Sequence, residues 1–251
     1  MATVQELYRY PGKGLSGQAL QQVDLAPGDG FPLDRAFALA HGNAPFDPAD
    51  PQFLPKTNFL MLLRNERLAA LQTHYDEPSG LLTVRRDGRD VAKGNLREPI
   101  GRKLIEQFFA AYMKDEVRGS PRLVQAPGHR FADCGRKVVS LIGLASIRDL
   151  ERVARMPLQP LRFRANLYFD GFAPWTEFDW VGSDLQAGEV LLRVVKRISR
   201  CAATDVNPET AVRDGRVPVT LQSNFGHVNV GVYAEVISAG TIAIGDTLRP
   251  L

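Results

Sequence analysis

The sequence predicts a mainly β protein with a few helices, an α+β chain in which a β-barrel-like N-terminal domain is followed by a second β-barrel domain. Three observations carry that expectation. Short apolar runs ended by Gly, Pro, Asn or Asp recur along the whole length, helical spacing is confined to two segments, and two six-residue stretches in the second half echo one another. With 251 residues the chain can bury a substantial core as one large or two small domains.

The opening segment turns often. Leu7-Tyr8-Arg9-Tyr10 runs into Pro11-Gly12-Lys13-Gly14, and Val23-Asp24-Leu25 into Pro27-Gly28-Asp29-Gly30, which reads as short strands joined by tight turns. Phe37-Ala38-Leu39-Ala40 is a further strand. The four prolines between Ala44 and Pro55 forbid regular structure, so an exposed loop is expected. Phe59 to Leu63 reads as a buried strand, and Leu81 to Val84 followed by Asp87-Gly88 as one side of a hairpin. Leu104, Ile105, Phe108, Phe109 and Tyr112 share a helical face, predicting a helix from Leu104 to Met113.

Arg118 to Arg130 reads as a linker with one strand at Leu123-Val124, which divides the chain into domains of residues 1–118 and 119–251. Val138 to Ile142 is an apolar strand. Ser146, with Asp149 three residues on, predicts the N-cap of a helix from Ile147 to about Arg155. Strand signals return at Leu167 to Phe169, Val190 to Val195, Val228 to Val236 and Thr241 to Ile244. The echo is Leu185-Gln186-Ala187-Gly188-Glu189-Val190 against Ile242-Ala243-Ile244-Gly245-Asp246-Thr247, an apolar-x-x-Gly-acid pattern.

Composition excludes more than it names. A hydrophobic content of 44% with 24% charged residues is that of an ordinary globular chain, and a net charge of +3 with dispersed basic residues gives no nucleic-acid footprint. No stretch reaches the length of a membrane span and the N-terminus has no apolar leader, so a cytoplasmic, membrane-free protein is expected. The 2 cysteines and 4 histidines lack the paired spacing of a zinc site.

Cys201 stands out among candidates for chemistry. It follows an apolar strand in Lys196-Arg197-Ile198-Ser199-Arg200-Cys201 and precedes an Asn207-Pro208 turn. Arg197 and Arg200 would favour the thiolate, the form that binds metals or attacks electrophiles; a small buried core residue is the other reading. Lys13 in its glycine-rich turn is either a phosphate contact or a solvated hairpin tip. Asp34-Arg35 and Arg162-Phe163-Arg164-Ala165-Asn166 place charges among strand residues, as barrel-capping salt bridges or as a fork for an anion.

Together, the stretch from Leu7 through Lys13 to Phe37, then Arg162 to Asn166, Asp179-Trp180-Val181-Gly182, Leu185 to Val190 and Ser199 through Thr210 resemble, in order, the two-domain MOSC proteins. These carry an N-terminal MOSC β-barrel domain before the MOSC domain and include amidoxime-reducing components and bacterial reductases of N-hydroxylated bases. The resemblance implies a molybdenum–molybdopterin cofactor with Cys201 as metal ligand and catalytic residue. Lys13, Gly14 and Arg35 would hold its phosphate, Arg164 and Asn166 its pterin or tail, and Ser199 and Arg200 would flank the metal. Gly14 stands where the family's loop often has serine. The implied activity is reduction of a small N-hydroxylated substrate by oxygen-atom transfer to the molybdenum. No iron–sulfur, flavin or nicotinamide motif is present, so a separate electron-donor protein is implied. Two other readings stay open: a sulfur carrier or cofactor-maturation protein using a Cys201 persulfide, and a non-catalytic binding barrel. A single anionic ligand would require Lys13, Arg35, Arg164 and Cys201 to line one cleft.

Overall fold

The computed structural model describes residues 1–251. In chain order the strands are β1 (Ala2–Arg9), β2 (Gln18–Leu20), β3 (Gln22–Leu25), β4 (Phe37–Ala40), β5 (Gln72–Asp76), β6 (Leu81–Arg86), β7 (Arg89–Asn95), β8 (Arg122–Gln125), β9 (Val139–Gly143), β10 (Leu167–Asp170), β11 (Asp184–Ala187), β12 (Val190–Ser199), β13 (Asn229–Val236), β14 (Gly240–Ala243) and β15 (Thr247–Pro250). The α-helices are α1 (Pro99–Tyr112), α2 (Leu144–Ala154) and α3 (Val217–Phe225). None is long and apolar enough to cross a membrane.

The largest sheet runs β10-β9-β13-β12-β11-β15-β1, and β1 pairs with β10 again, closing a seven-stranded barrel to which β2 is appended. Closure leaves no open edge among those staves. Alternation fills the interior: Val190, Leu192 and Val194 on β12, Val232, Ala234 and Val236 on β13, and Val4 and Leu7 on β1 belong to one buried core. β3 and β14 pair with each other and add Val23, Leu25 and Ile242 to that core. The first strands of the chain therefore complete a barrel made mostly by its second half, and packing crosses the 118/119 division. The two echoing stretches form the β11–β12 and β14–β15 turns and dock on one another, Gly188 N–H donating to Thr247 O and Glu189 N–H to Thr241 O.

A second core lies under α1, where Ile105, Phe109 and Met113 pack with Leu60, Leu68, Leu71, Tyr75, Leu82 and Val84 from the β5–β6–β7 sheet and the loops before it. The β6–β7 hairpin turns on Asp87 and Gly88, both at positive φ (51° and 74°), the backbone that a two-residue primed turn demands. A smaller aromatic core of Phe46, Phe59 and Phe131 holds the β4–β8 ribbon against the Pro-rich loop.

Four expectations change. Phe59, Leu60 and Met61 are buried as expected, but the segment forms only an isolated bridge to Ala40 and then turns. The Asn65 carboxamide oxygen accepts the Met61 N–H at 2.9 Å and stops the strand. α1 begins at Pro99 rather than Leu104, because proline lacks the N–H that a first turn leaves unpaired, and Leu104 faces solvent. Ser146 lies inside α2, whose N-cap is Gly143; its hydroxyl donates to Glu177 Oε2 (2.9 Å) and accepts the Trp175 N–H (2.8 Å). The Pro-rich loop is irregular, yet it buries Ala44 and Phe46.

Candidate functional site

β12 delivers the cysteine. Its pairing with β13 shifts register between Val194 and Lys196 and again between Arg197 and Ser199, so the strand twists as it leaves the barrel and releases Ser199-Arg200-Cys201 at its end. The following turn is bonded to itself: Thr204 donates both N–H (3.0 Å) and Oγ1–H (2.9 Å) to Cys201 O. Asn207 Oδ1 accepts the Glu209 N–H, while its Nδ2 donates to Asp214. Buried Arg162 grips Asp214 and donates to Asp205 O at 3.2 Å. Threonine and asparagine in this run are thus the scaffold that fixes the thiol. From below, Arg213 donates to Ala202 O (2.7 Å), Leu62 O (2.8 Å) and Leu63 O (2.7 Å), tying the cysteine loop to the first half of the chain.

Cys201, half-buried, lies in a cleft between the barrel and the N-terminal core. Lys13, Gly14, Arg35, Arg164, Asn166, Ser199 and Arg200 line that same cleft, although they span most of the chain. Their individual bonds differ. Lys13, 8% exposed, donates to Phe131 O (2.9 Å) and Asp133 Oδ1 (2.6 Å). Burial presses its pKa down; Asp133 offsets this only in part. Gly14 has φ +75°, and a Cβ there would sit 3.2 Å from Leu60 O, so this backbone asks for glycine where the resembling loops often have serine.

Arg35 and Arg164 form the cleft's inner wall. Both are non-glycine residues at positive φ, 50° and 52°, a conformation costing roughly 1 kcal/mol or more at each. Their guanidinium carbons lie 4.7 and 4.4 Å from the centroid of the buried Tyr10 ring. Arg35 pairs with Asp34 and donates to Arg164 O at 2.9 Å. Burial opposes its charge, but Asp34 prevails and its pKa is raised. The sequence left a salt bridge and a fork for an anion as alternatives for Arg35; it makes the salt bridge and also lines the cleft. Arg164 has no carboxylate partner, donates Nη1 to Leu15 O at 2.6 Å, and leaves Nη2 buried and unbonded. Burial first, and Arg35 second, lower its pKa to about 10.

Asn166 is engaged within the protein. It accepts Ser140 N–H (3.1 Å) and Oγ–H (2.7 Å) at Oδ1, and donates Nδ2 to Tyr8 O (3.2 Å), stitching β1, β9 and the start of β10. Arg200 likewise donates to Val230 O (3.0 and 2.6 Å) and Phe163 O (2.8 Å), so only its charge is directed to the cleft. Burial lowers its pKa. Ser199 is exposed at the rim. Arg197 lies elsewhere: its guanidinium covers the Phe178 ring at 4.5 Å.

The cation nearest the thiol is Lys56, whose Nζ donates to Cys201 Sγ at 3.5 Å and lies 3.7 Å from Asp133 Oδ2. Burial would lower the Lys56 pKa, but Asp133 and Cys201 raise it overall. Asp133 bridges Lys13 and Lys56; burial pushes its carboxyl up, Lys13 more than reverses this, and the net shift is downward. Neither residue had a sequence signal. Lys56 follows the Pro-rich loop, Asp133 lies between the linker and β9, and only folding places them beside a cysteine 145 residues from Lys56.

Six cations, Lys13, Lys56, Arg35, Arg162, Arg164 and Arg200, thus line the cleft around one thiol with two carboxylates, Asp34 and Asp133, while a third, Asp214, holds Arg162 from outside it. The excess suits a ligand with a phosphate and anionic sulfurs, and the unbonded Arg164 N–H marks a donor awaiting an acceptor. The chain has no cluster of three His, Cys, Asp or Glu side chains able to hold a metal. A metal at Cys201 would therefore bring its other ligands with an organic cofactor.

A closed barrel with a lone thiol in a cationic interdomain cleft defines an anion-binding, thiol-bearing β protein. The comparisons make this specific. Residues 1–118 match the MOSC N-terminal beta barrel domain and residues 116–249 match the MOSC domain, so the chain belongs to the MOSC domain family. Among curated relatives it is 26% identical over 166 residues to "Mitochondrial amidoxime-reducing component 1" of Homo sapiens, covering 56% of this chain and 49% of that protein. The mouse protein of the same name is 29% identical over 114 residues, covering 41% and 33%. The chain thus spans half or less of these relatives' length. Among solved structures, YiiM from Geobacillus stearothermophilus aligns at 20% identity and a TM-score of 0.36 over 45% of this chain and 53% of its own. The YUAD protein from Bacillus subtilis aligns at 12% identity and a TM-score of 0.47 over 99% and 94%.

Proposed function

We propose that this protein is a molybdenum-cofactor-dependent reductase of small N-hydroxylated compounds. The observation that carries the proposal is the excess of buried cations around Cys201, one of them with an unbonded N–H. The relatives' name, amidoxime-reducing component, supports the reaction class. Cys201 would ligate the molybdenum, a thiolate matching a metal already held by sulfur. Lys13, Gly14 N–H, Arg35 and Arg164 would hold the phosphate and the adjoining part of the pterin, with Ser199 and the Arg200 charge beside the metal.

When bound, the cofactor would supply the two-electron, oxygen-accepting chemistry that no side chain here can perform. The overall reaction breaks one N–O bond, consumes two electrons and two protons, and releases the reduced nitrogen compound and water. Lys56 holds a proton at Nζ within reach of the Cys201 sulfur. Asp133 keeps that ammonium in place. Arg213 and Thr204 tie down the loop that presents the sulfur to the cleft. Electrons would come from a separate donor protein, since the two free thiols cannot hold an iron–sulfur cluster. Those thiols also support a reducing, cytoplasmic setting.

The test is metal and pterin analysis of protein produced with and without pterin synthesis, followed by reduction of benzamidoxime with an artificial donor. Near-equimolar molybdenum and formation of benzamidine are expected. A metal-free protein that accumulates a Cys201 persulfide would instead establish the sulfur-carrier reading, and a protein indifferent to Cys201→Ala the binding barrel.

A further inference from the structure

A second concavity opens off the cleft and shares Lys13, Lys56, Phe131, Ala132 and Asp133 with it. Its remaining wall is Phe53, Leu54, Phe59 and His129, with Arg130 as the one further charge. The rings are built rather than incidental. His129 packs 5.3 Å from Phe46 and 4.8 Å from Phe131, and Phe131 lies 5.3 Å from Phe59, so the floor is rigid. Burial lowers the His129 pKa, which keeps its ring neutral at pH 7. Phe53 is 56% exposed at the mouth, a large apolar side chain with little to cover it.

We infer that this groove binds the aryl body of a neutral or anionic N-hydroxylated substrate and aims its N–OH end at the Lys56–Cys201 corner. The inference rests on the proposed reductase function. The aromatic floor favours a flat ring, which gains both area burial and ring–ring contact. Charge sets the second half of the specificity. The groove's one carboxylate, Asp133, already bridges Lys13 and Lys56, and with Arg130 three cations stand against it, so the wall disfavours a substrate cation. A neutral amidoxime fits this wall. An N-hydroxyguanidinium does not.

The test compares benzamidoxime, acetamidoxime and N-hydroxyguanidine on the loaded protein, in wild type, Phe53→Ser and Phe53→Leu. Phe53 belongs to no core cluster, so both variants should fold. Wild type should prefer benzamidoxime over acetamidoxime in kcat/KM. Phe53→Ser should lower that preference about tenfold, chiefly through KM, and Phe53→Leu by less, because an aliphatic side chain restores part of the buried area. Calorimetric titration of benzamidoxime against the same proteins should show the same order of affinity without turnover. If amidoximes bind in that order but are not reduced, the reductase reading fails and the groove stands. If Phe53→Ser changes both amidoximes equally, or N-hydroxyguanidine equals benzamidoxime as substrate, the groove assignment is wrong.

Discussion

On the outside of the barrel, arginines meet carboxylates: Arg193 bonds Asp184, and Arg148 bonds Asp170 through two contacts of 2.9 and 2.7 Å. In the cleft the pattern inverts. Arg200 donates only to carbonyls, and Arg164 stacks near Arg35 over one tyrosine with an N–H unbonded. Both regions use the same side-chain type, yet in the cleft Arg164 and Arg200 lack the carboxylate that Arg35 finds in Asp34 and Arg162 in Asp214. A surface pair is worth about 0–1 kcal/mol and tolerates loss, whereas buried cations without counter-charges are maintained at a cost in stability. The contrast teaches that the cleft gives up stability that the paired arginines of the barrel exterior keep, which is what a site for an anionic ligand requires.

Breaking the contrast at its centre should have the largest effect. Cys201→Ser replaces a soft ligand with a hard, weakly acidic one, so reduction of benzamidoxime should fall to background even where pterin is retained. Activity normalised to bound pterin checks it. Next comes Arg35→Lys, which keeps the charge and loses the planar fork. Cofactor affinity should drop about tenfold while turnover per bound molybdenum is nearly unchanged, because a phosphate contact is the same in every state of the reaction.

Stability should then move in opposite directions in the two regions. Arg164→Met removes a buried cation and its orphaned N–H, and should raise the melting temperature of the cofactor-free protein by about 2–4 °C, roughly 1 kcal/mol, while weakening cofactor binding. Arg193→Met on the barrel exterior should lower it only slightly and leave binding intact. The smallest effect is pH-dependent. The Asp133 carboxyl is held below its ordinary value by Lys13, so its contribution is present above the ordinary carboxylate range of about 4 and is lost as pH falls through the depressed value. The melting-temperature gap between wild type and Asp133→Asn should be steady from pH 5 to 7 and close under acid.

The same contrast explains what could be read from the sequence. Strands with alternation, such as Val190 to Val194, and the Asp87-Gly88 turn carry their structure locally, and the run from Ser199 to Thr210 carries its own scaffold in Thr204 and Asn207. Helix α3 was missed although Val217, Leu221 and Phe225 stand four apart, because nine residues opening on Val217-Pro218-Val219 give little more than two turns of pattern. The strand expected at Phe59 to Leu63 failed on a single side chain just beyond it, the Asn65 carboxamide. Lys13, Arg35 and Arg164 were recognisable only in company. Lys56 and Asp133 carry no pattern of their own until the Pro-rich loop and the segment before β9 fold beside the end of β12, and the aromatic groove exists only after that.

X-ray absorption at the molybdenum edge, on wild type and on Cys201→Ser loaded with cofactor, tests the central claim most directly by counting the sulfurs bound to the metal. The account predicts one fewer sulfur ligand in the variant, with pterin content preserved. An unchanged sulfur count in a fully loaded variant would contradict it.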